Sequence, residues 1–240
     1  MKKKFEIEAP GGATKVLLHT CCAPCSSAII ECLMKHGITP TIYYSNPNIF
    51  PLEEYEIRKN ECSRYAKSLG LEIVDDDYDH EKWRCEMAGL EDEPERGGRC
   101  LKCFKYRLLR TAKYAHENGF SVITTTLASS RWKSLEQIEE AGKFAASFYP
   151  DVTFWAQNWR KGGLSERRLE IIKEYGFYNQ RYCGCEFSLK SAASQNMLAL
   201  PIGRRPHIFN TFQHILTIKN IFFNNFFYIK MIRIFAKRLK

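Results

Sequence analysis

The fold of this chain is decided by residues 15–44, KVLLHTCCAPCSSAIIECLMKHGITPTIYY. The short apolar run KVLLH has the length of a buried strand, residues 26–36 carry a helical pattern, and TPTIYY is a second short strand-like run. A strand, a helix and a second strand in this order form a βαβ unit with two parallel strands. We therefore predict a parallel sheet that begins here.

The same alternation continues along the chain. Further strands are predicted at residues 71–74, 121–127 and 152–156, and further helices at residues 52–69, 103–118, 134–148 and 165–175. The predicted fold class is therefore α/β, a mainly parallel sheet with helices on both faces. Ligands of such sheets lie outside the carboxyl ends of the strands, so we expect the functional residues in the loops that follow the strands.

Composition narrows the class of protein further. The chain has 240 residues, 45% of them apolar, which suits one domain or one domain with an extension. The sequence contains no uncharged apolar run of the roughly 18 residues that cross a bilayer. Its start, MKKKFEIEAPGG, lacks the apolar run of a signal peptide, so we expect a cytoplasmic protein.

Ten cysteines in a protein of a reducing compartment favour metal binding or redox chemistry over structural disulfides. Seven of them form three groups at short spacing: Cys21, Cys22 and Cys25; Cys100 and Cys103; Cys183 and Cys185. Two separated pairs can hold zinc or an iron–sulfur cluster, and cysteines that pack without a metal are the third alternative; spacing does not choose among them. The other three are predicted to be buried small apolar residues: Cys32, Cys62 and Cys85.

Six ordered motifs extend over roughly residues 14–190. They are LLHTCCAPCSS, YYSNPNIFPLEEYEIRKNE, RCLKCFKYRLLRTAKYAHENGF, TTTLASSRWKS, NWRKGG and YNQRYCGCEFS. Together they resemble the QueH-type epoxyqueuosine reductases, which carry out the last step of queuosine formation on tRNA. The resemblance implies a fold related to the adenine-nucleotide α-hydrolase-like (HUP) domains, with the cysteine-rich metal site at the carboxyl ends of the strands.

The resemblance also implies a chemistry for the thiols. A [4Fe–4S] cluster would be held by Cys21, Cys22, Cys100 and Cys103, and Cys183 with Cys185 would be a redox-active pair. A second metal, a mononuclear iron, is implied beside the cluster, with Cys25 as a candidate ligand. The implied substrate is tRNA with a GUN-type anticodon that carries epoxyqueuosine, whose epoxide is reduced by two electrons from an unidentified donor.

Four residues are candidates for contact with the substrate. Asn46 lies in the turn after the second strand, where building the turn is the equal alternative. Arg107 is four residues beyond Cys103 on the same helical face and is aimed at the metal region or at a phosphate. Arg160 begins an Arg-Lys-Gly-Gly loop that suits phosphate, or else is simply solvated. Trp132 is a candidate stacking platform for an unpaired base.

Two other functions compete with the reductase. An ATP-dependent tRNA thiolase of related fold needs a glycine-rich loop after the first strand, but HTCCAPCSS has a proline and no glycine, which argues against ATP binding. A zinc-stabilised RNA-binding module without catalysis would use the same cysteines. Outside the cysteine groups, Glu54 and Arg58 have the spacing of an i,i+4 pair on a helix surface, and we expect them to be exposed.

The formal charge of +9 belongs to the end of the chain. Residues 1–186 are neutral, whereas residues 187–240 contain nine basic residues and no acidic one. We predict a catalytic iron–sulfur domain at residues 1–200 and a basic, aromatic-rich extension at residues 201–240. We interpret the extension as unselected sequence, with a basic amphipathic helix that binds tRNA or a membrane surface as the alternative.

Overall fold

The computed structural model describes residues 5–76, 78–178 and 180–189, so the extension predicted at residues 201–240 lies outside the described residues. The strands are β1 (Lys15–His19), β2 (Thr39–Tyr44), β3 (Ile73–Asp75), β4 (Val122–Thr125) and β5 (Thr153–Phe154). The helices are α1 (Ala23–Lys35), α2 (Leu52–Ser68), α3 (His80–Glu86), α4 (Gly98–Glu117), α5 (Leu135–Ala146) and α6 (Leu164–Tyr175). Short 3₁₀ turns lie at Pro10–Gly12 and Thr126–Ser129.

The five strands form one parallel sheet in the order β3-β2-β1-β4-β5, which confirms the predicted α/β class. Strand β1 is central and pairs with both β2 and β4. Helix α1 packs against α6, and α4 packs against α5. The chain proceeds outward from β1 to β3 on one side and from β4 to β5 on the other. The change of direction between β1 and β4 creates the crevice where ligands of such sheets bind.

The central strands are buried because helices cover the sheet. Val16, Leu17 and Leu18 of β1 have no exposed surface, and all of β4 is buried. Parallel strands covered on both faces are typically continuous apolar runs rather than alternating ones, as here. A close contact fixes α5 against β5, because a Cβ atom on Gly142 would lie 2.2 Å from the Phe154 ring.

Two helices begin earlier in the chain than their apolar patterns predict. Helix α1 begins at Ala23, with Pro24 in its first turn and Cys22 as its N-cap, so Cys25 lies inside the first turn. Helix α4 begins at Gly98, which places Cys100 in its first turn. The first turns read Ala-Pro-Cys-Ser and Gly-Arg-Cys-Leu, which have too few apolar side chains at helical spacing to extend the pattern to these ends. Helix α3 was not predicted, since seven residues are too few for a periodic signal.

None of the helices in the described ranges combines the length and the apolar character that a bilayer span requires.

Candidate metal and thiol site

Three buried thiols meet where β1 passes into α1. Cys21 follows the strand, Cys22 caps the helix and Cys25 lies in its first turn. Their sulfur atoms all lie within 4.8 Å of one another, and the sulfurs of Cys21 and Cys22 are 3.9 Å apart. Sulfur ligands at this spacing suit one metal centre. We call these residues the thiol triad.

The pKa values of the three thiols are shifted in different directions. Hydrogen bonds from Cys22 and Cys25 lower the pKa of Cys21 well below its ordinary value. Hydrogen bonds with Cys21 and with Cys25 raise the pKa of Cys22, and the bond with Cys21 raises the pKa of Cys25. Thr126 adds to this stabilisation, because its hydroxyl lies 3.4 Å from the Cys21 sulfur. Cys21 is therefore the thiol of the triad that loses its proton most readily to a metal ion, which binds deprotonated sulfur.

The second thiol pair lies at the start of α4. Cys103 is buried, and its sulfur accepts a hydrogen bond from Trp83 Nε1 at 3.4 Å. Cys100 is half-buried, and its sulfur accepts one from the backbone N–H of Arg96 at 3.3 Å. Burial raises the pKa of Cys100 to about 11 and also raises the pKa of Cys103. Donors aimed at both sulfurs are the contacts that tune thiolate ligands of a metal.

Among the described residues, the thiols that lie within 4.8 Å of one another are those of the triad. Neither cysteine of α4 belongs to this group. Cys183 and Lys133 connect the two sets. Cys183 is close enough to Cys100 and Cys103 to contribute to the raised pKa of both thiols. Burial would lower the pKa of Lys133, but the nearby sulfurs of Cys183, Cys21 and Cys25 raise it, so the ammonium stays charged. Cys183 thus lies near the cysteines of α4, and Lys133 lies near the triad and Cys183.

The Cys183–Gly184–Cys185 segment lies against the loop that precedes α2. Cys183 is exposed, and Cys185 is half-buried with its sulfur 3.4 Å from Ser188 Oγ. Burial, followed by the charge of Cys183, raises the pKa of Cys185 to about 12. Gly184 has φ +123°, and a Cβ atom there would lie 3.1 Å from Arg58 Nη1, so the close approach requires glycine.

The prediction that Glu54 and Arg58 form an exposed pair is wrong. Arg58 is 2% exposed and Glu54 is 8% exposed. Arg58 donates to Glu54 Oε1 through Nε at 2.8 Å and through Nη2 at 2.6 Å. Its Nη1 also donates to the carbonyl of Cys183 at 3.2 Å, and its Nη2 to that of Tyr182 at 3.3 Å. The buried pair is thus an anchor for the Cys-Gly-Cys segment, which folds over α2.

Asn46 and Arg107, two of the substrate candidates, are buried and bonded to each other. An Arg107 Nη2–H donates to Asn46 Oδ1, and Arg107 Nε donates to the carbonyl of Ser45 at 3.2 Å. Asn46 Nδ2 donates to the carbonyl of Thr20 at 2.8 Å. Together they connect α4 to the carboxyl ends of β2 and β1. The structure thus gives both residues protein partners at the carboxyl edge of the sheet.

His19 shares a partner with Arg107, because both contact the carbonyl of Ser45. Its Nδ1 lies 2.7 Å from Thr125 Oγ1, and its Nε2 lies 3.2 Å from the carbonyl of Ser45. Because a carbonyl only accepts, Nε2 carries the hydrogen and Nδ1 accepts from the hydroxyl. Burial, with a smaller effect of Arg107, lowers the pKa of His19 to about 3. The ring therefore stays neutral and joins β1 to β2 and β4.

The other two substrate candidates lie near each other, Trp132 on the loop after β4 and Arg160 on the loop after β5. Trp132 is 65% exposed, and the guanidinium of Arg131 lies 4.9 Å above its ring. Arg160 is half-buried and donates to the carbonyls of Ser130 and Lys133. Arg160 therefore holds this loop, while Trp132 is free to contact a ligand.

Two residues of this region escaped the sequence reasoning. Lys133 lies inside the quoted TTTLASSRWKS motif, but a lysine in a polar loop carries no signal of burial. Arg96 lies in a polar, acidic segment whose composition is typical of a solvated loop. Its φ of +68° is visible only in three dimensions. Of the three cysteines predicted to be buried, Cys32 and Cys62 are, whereas Cys85 is exposed near the end of the short helix α3.

The fold and the site define an α/β protein with a buried thiol site at the carboxyl edge of a parallel sheet, an arrangement suited to metal-dependent redox chemistry. The family model described as epoxyqueuosine reductase QueH matches residues 16–191. This chain therefore belongs to the QueH family of epoxyqueuosine reductases.

Curated relatives carry the same description. Epoxyqueuosine reductase QueH of Histophilus somni (strain 129Pt) is 52% identical over 185 residues, which cover 77% of this chain and 76% of the relative. The protein of the same description from Haemophilus influenzae (strain Rd) is 50% identical over 187 residues, 78% of this chain and 76% of the relative. That of Thermotoga maritima is 37% identical over 177 residues, 72% of this chain and 90% of the relative.

Proposed function

We propose that this protein reduces epoxyqueuosine to queuosine at the wobble position of tRNA with a GUN-type anticodon. The observation that carries the proposal is the family match over residues 16–191, which includes every cysteine group of the site. The proposal places the protein in the cytoplasm with its tRNA substrate. It assigns catalysis to residues 1–200 and no role to residues 201–240.

The thiols fit a metal cofactor by their chemistry. The triad offers three buried sulfurs within 4.8 Å, and both cysteines of α4 have sulfurs that accept hydrogen bonds. In the proposal, the residues that hold a [4Fe–4S] cluster are Cys21, Cys22, Cys100 and Cys103, and Cys25 is a candidate ligand of a neighbouring iron. When bound, such a centre supplies single electrons and a Lewis acid for the epoxide oxygen.

The protein's own residues account for the electrons and protons. Conversion of the epoxide to an alkene breaks two C–O bonds, consumes two electrons and two protons, and releases the oxygen as water. Oxidation of the Cys183–Cys185 dithiol to a disulfide releases two electrons and two protons, which balances the reaction. A donor of two electrons and two protons, still unidentified, then restores the dithiol. Cys183 is exposed, as exchange with an outside reductant requires.

Lys133 contributes charge to the site. The sulfurs of Cys183, Cys21 and Cys25 raise its pKa against the effect of burial, so its ammonium stays protonated. A fixed positive charge offsets the negative charge of the thiolates and favours an anionic oxygen that develops beside them.

The test uses the full chain purified without oxygen. Iron and sulfide are measured together with the visible absorption spectrum, and an anticodon stem–loop RNA carrying epoxyqueuosine is incubated with the protein and a chemical reductant. We expect about four iron atoms and four sulfides for the cluster, additional iron for the neighbouring centre, and an RNA product lighter by one oxygen. A colourless protein with one zinc and no turnover would overturn the proposal and favour the RNA-binding module.

A further inference from the structure

The loop that follows the 3₁₀ turn after β4, residues 130–133, is held from one side by Arg96. The side chain of Arg96 donates through Nε to the carbonyl of Trp132 at 2.8 Å and through Nη2 to that of Arg131 at 3.3 Å. Arg96 itself has φ +68°, a backbone conformation that an arginine adopts only when its surroundings impose it. Gln137 at the start of α5 supports this conformation, because its Nε2 donates to the carbonyl of Arg96 at 2.8 Å.

Arg160 holds the same loop from the other side. Its Nη2 donates to the carbonyls of Ser130 and Lys133, the latter at 2.6 Å. Two guanidinium groups, from positions 96 and 160, therefore occupy all four consecutive carbonyls of the loop. A loop held in this way loses little conformational entropy when a ligand binds to its side chains.

The ring that this loop displays is the most exposed large apolar side chain in the part of the chain that the structure describes. Trp132 is 65% exposed, compared with 55% for Phe148 and 54% for Leu169. Burial of an indole is favourable, so a rigid loop that keeps one in solvent is explained by a ligand that covers it. The guanidinium of Arg131 lies 4.9 Å above the ring and adds a charge beside the stacking surface.

The loop also borders the thiol site and is positively charged. Lys133, next to Trp132, is close to the sulfurs of Cys183, Cys21 and Cys25, which raise its pKa. The backbone N–H of Arg96 donates to the sulfur of Cys100. A polyanion with unpaired aromatic bases matches both the charge and the exposed ring, because single-stranded nucleic acid binds through stacking and phosphate contacts.

We infer that the loop at residues 130–133 is a stacking platform on which Trp132 binds an unpaired base of the anticodon loop, next to the base that reacts. Arg96 and Arg160 are positioning residues, which act on the RNA through the loop that they hold. The identity of the RNA rests on the proposed function, whereas the platform itself is testable without turnover.

The experiment measures binding of an unmodified anticodon stem–loop RNA with a GUN anticodon, at fixed salt, by fluorescence anisotropy. We expect Trp132→Ala to weaken binding about 10-fold or more, as loss of one stacked base does, and Trp132→Phe to restore most of the affinity. Arg96→Met should weaken binding less than Trp132→Ala, because the ring remains but its loop is no longer held. Phe148→Ala is the matched control, an exposed aromatic residue beyond the far end of α5 that should leave the affinity unchanged.

A second readout reports on the indole directly. The other three tryptophans have at most 8% of their surface exposed, so the emission accessible to a soluble quencher comes from Trp132. RNA should protect this emission in the wild-type protein, and Trp132→Phe should abolish the protected fraction.

Equal RNA affinity of the wild-type protein and Trp132→Ala would overturn the platform, as would an equal loss in Phe148→Ala. Turnover separates this inference from the proposed function. If the protein reduces the epoxide and Trp132→Ala changes neither KM nor RNA affinity, the platform is wrong and the proposed function stands. Trp132-dependent RNA binding without turnover supports the platform and defeats the reductase.

Discussion

Replacement of Arg58 by methionine should destabilise the protein far more than replacement of Lys143 by methionine, although both residues form an ion pair with a glutamate four residues earlier in a helix. Arg58→Met keeps an apolar chain in the place of the arginine methylenes but removes the guanidinium. The carboxylate of Glu54 stays buried and loses its two hydrogen bonds of 2.8 and 2.6 Å. Tyr178 then remains as its partner, with its hydroxyl 2.8 Å from Oε2. The carbonyls of Cys183 and Tyr182 also lose their donors.

The expected cost is about 3–5 kcal/mol, because removing one partner of a buried ion pair leaves the other charge uncompensated. For a domain of this size, each kcal/mol lowers the Tm by about 2–4 °C, which gives a drop of about 6–20 °C. Lys143→Met is the matched control. Lys143 and Glu139 are also four residues apart on a helix, at 2.6 Å, but their side chains are 69% and 48% exposed. Such a pair contributes at most about 0.5 kcal/mol.

Unfolding by urea and by heat, followed by circular dichroism under reducing conditions without oxygen, measures both variants. Arg58→Met should also speed alkylation of Cys183, since its segment loses the guanidinium that holds it. Glu54→Gln, which keeps an oxygen acceptor for Arg58, gives a milder form of the test if Arg58→Met does not fold. Free energies of unfolding that agree within about 1 kcal/mol between Arg58→Met and Lys143→Met would refute the reasoning.

Three other predictions follow from single contacts. Cys183→Ser should retain the metal content of the wild-type protein and lose most turnover; unchanged turnover would remove the dithiol from the mechanism. Gly142→Ala, which in an ordinary helix gains up to about 1 kcal/mol, should instead cost about 1–3 kcal/mol in urea unfolding, because its Cβ would lie 2.2 Å from Phe154. Burial alone would raise the pKa of Asp76, but hydrogen bonds, above all from Arg110, lower it below 3.8. The contribution of the Asp76 carboxylate to stability is therefore present above pH 3.8 and lost as the pH falls through its pKa in the folded protein. A difference in free energy of unfolding between the wild-type protein and Asp76→Asn that stays constant with pH would contradict this assignment.

The sequence by itself determined the class of fold and the location of the thiols. Alternating strand and helix patterns predict a parallel sheet because each helix must cover the sheet that its strands form. Since the cysteines of CCAPC directly follow a strand and those of C-x-x-C lie at a helix start, local spacing alone placed them at element ends. Prediction was weakest where an element is short, as in α3, or where the first turn of a helix lacks a periodic apolar pattern, as in α4.

Only the tertiary structure decided which polar groups are buried and what they hold. Glu54 with Arg58 and Glu139 with Lys143 have the same spacing, but the Cys-Gly-Cys segment folds over the first pair and leaves the second in water. Arg58 reaches a carbonyl 125 positions away in the chain, a distance that no local pattern records. Whether a residue is buried depends on the segments that pack around it. The periodicity of the sequence can therefore predict a helix, but only the tertiary structure shows which residues its side chains contact.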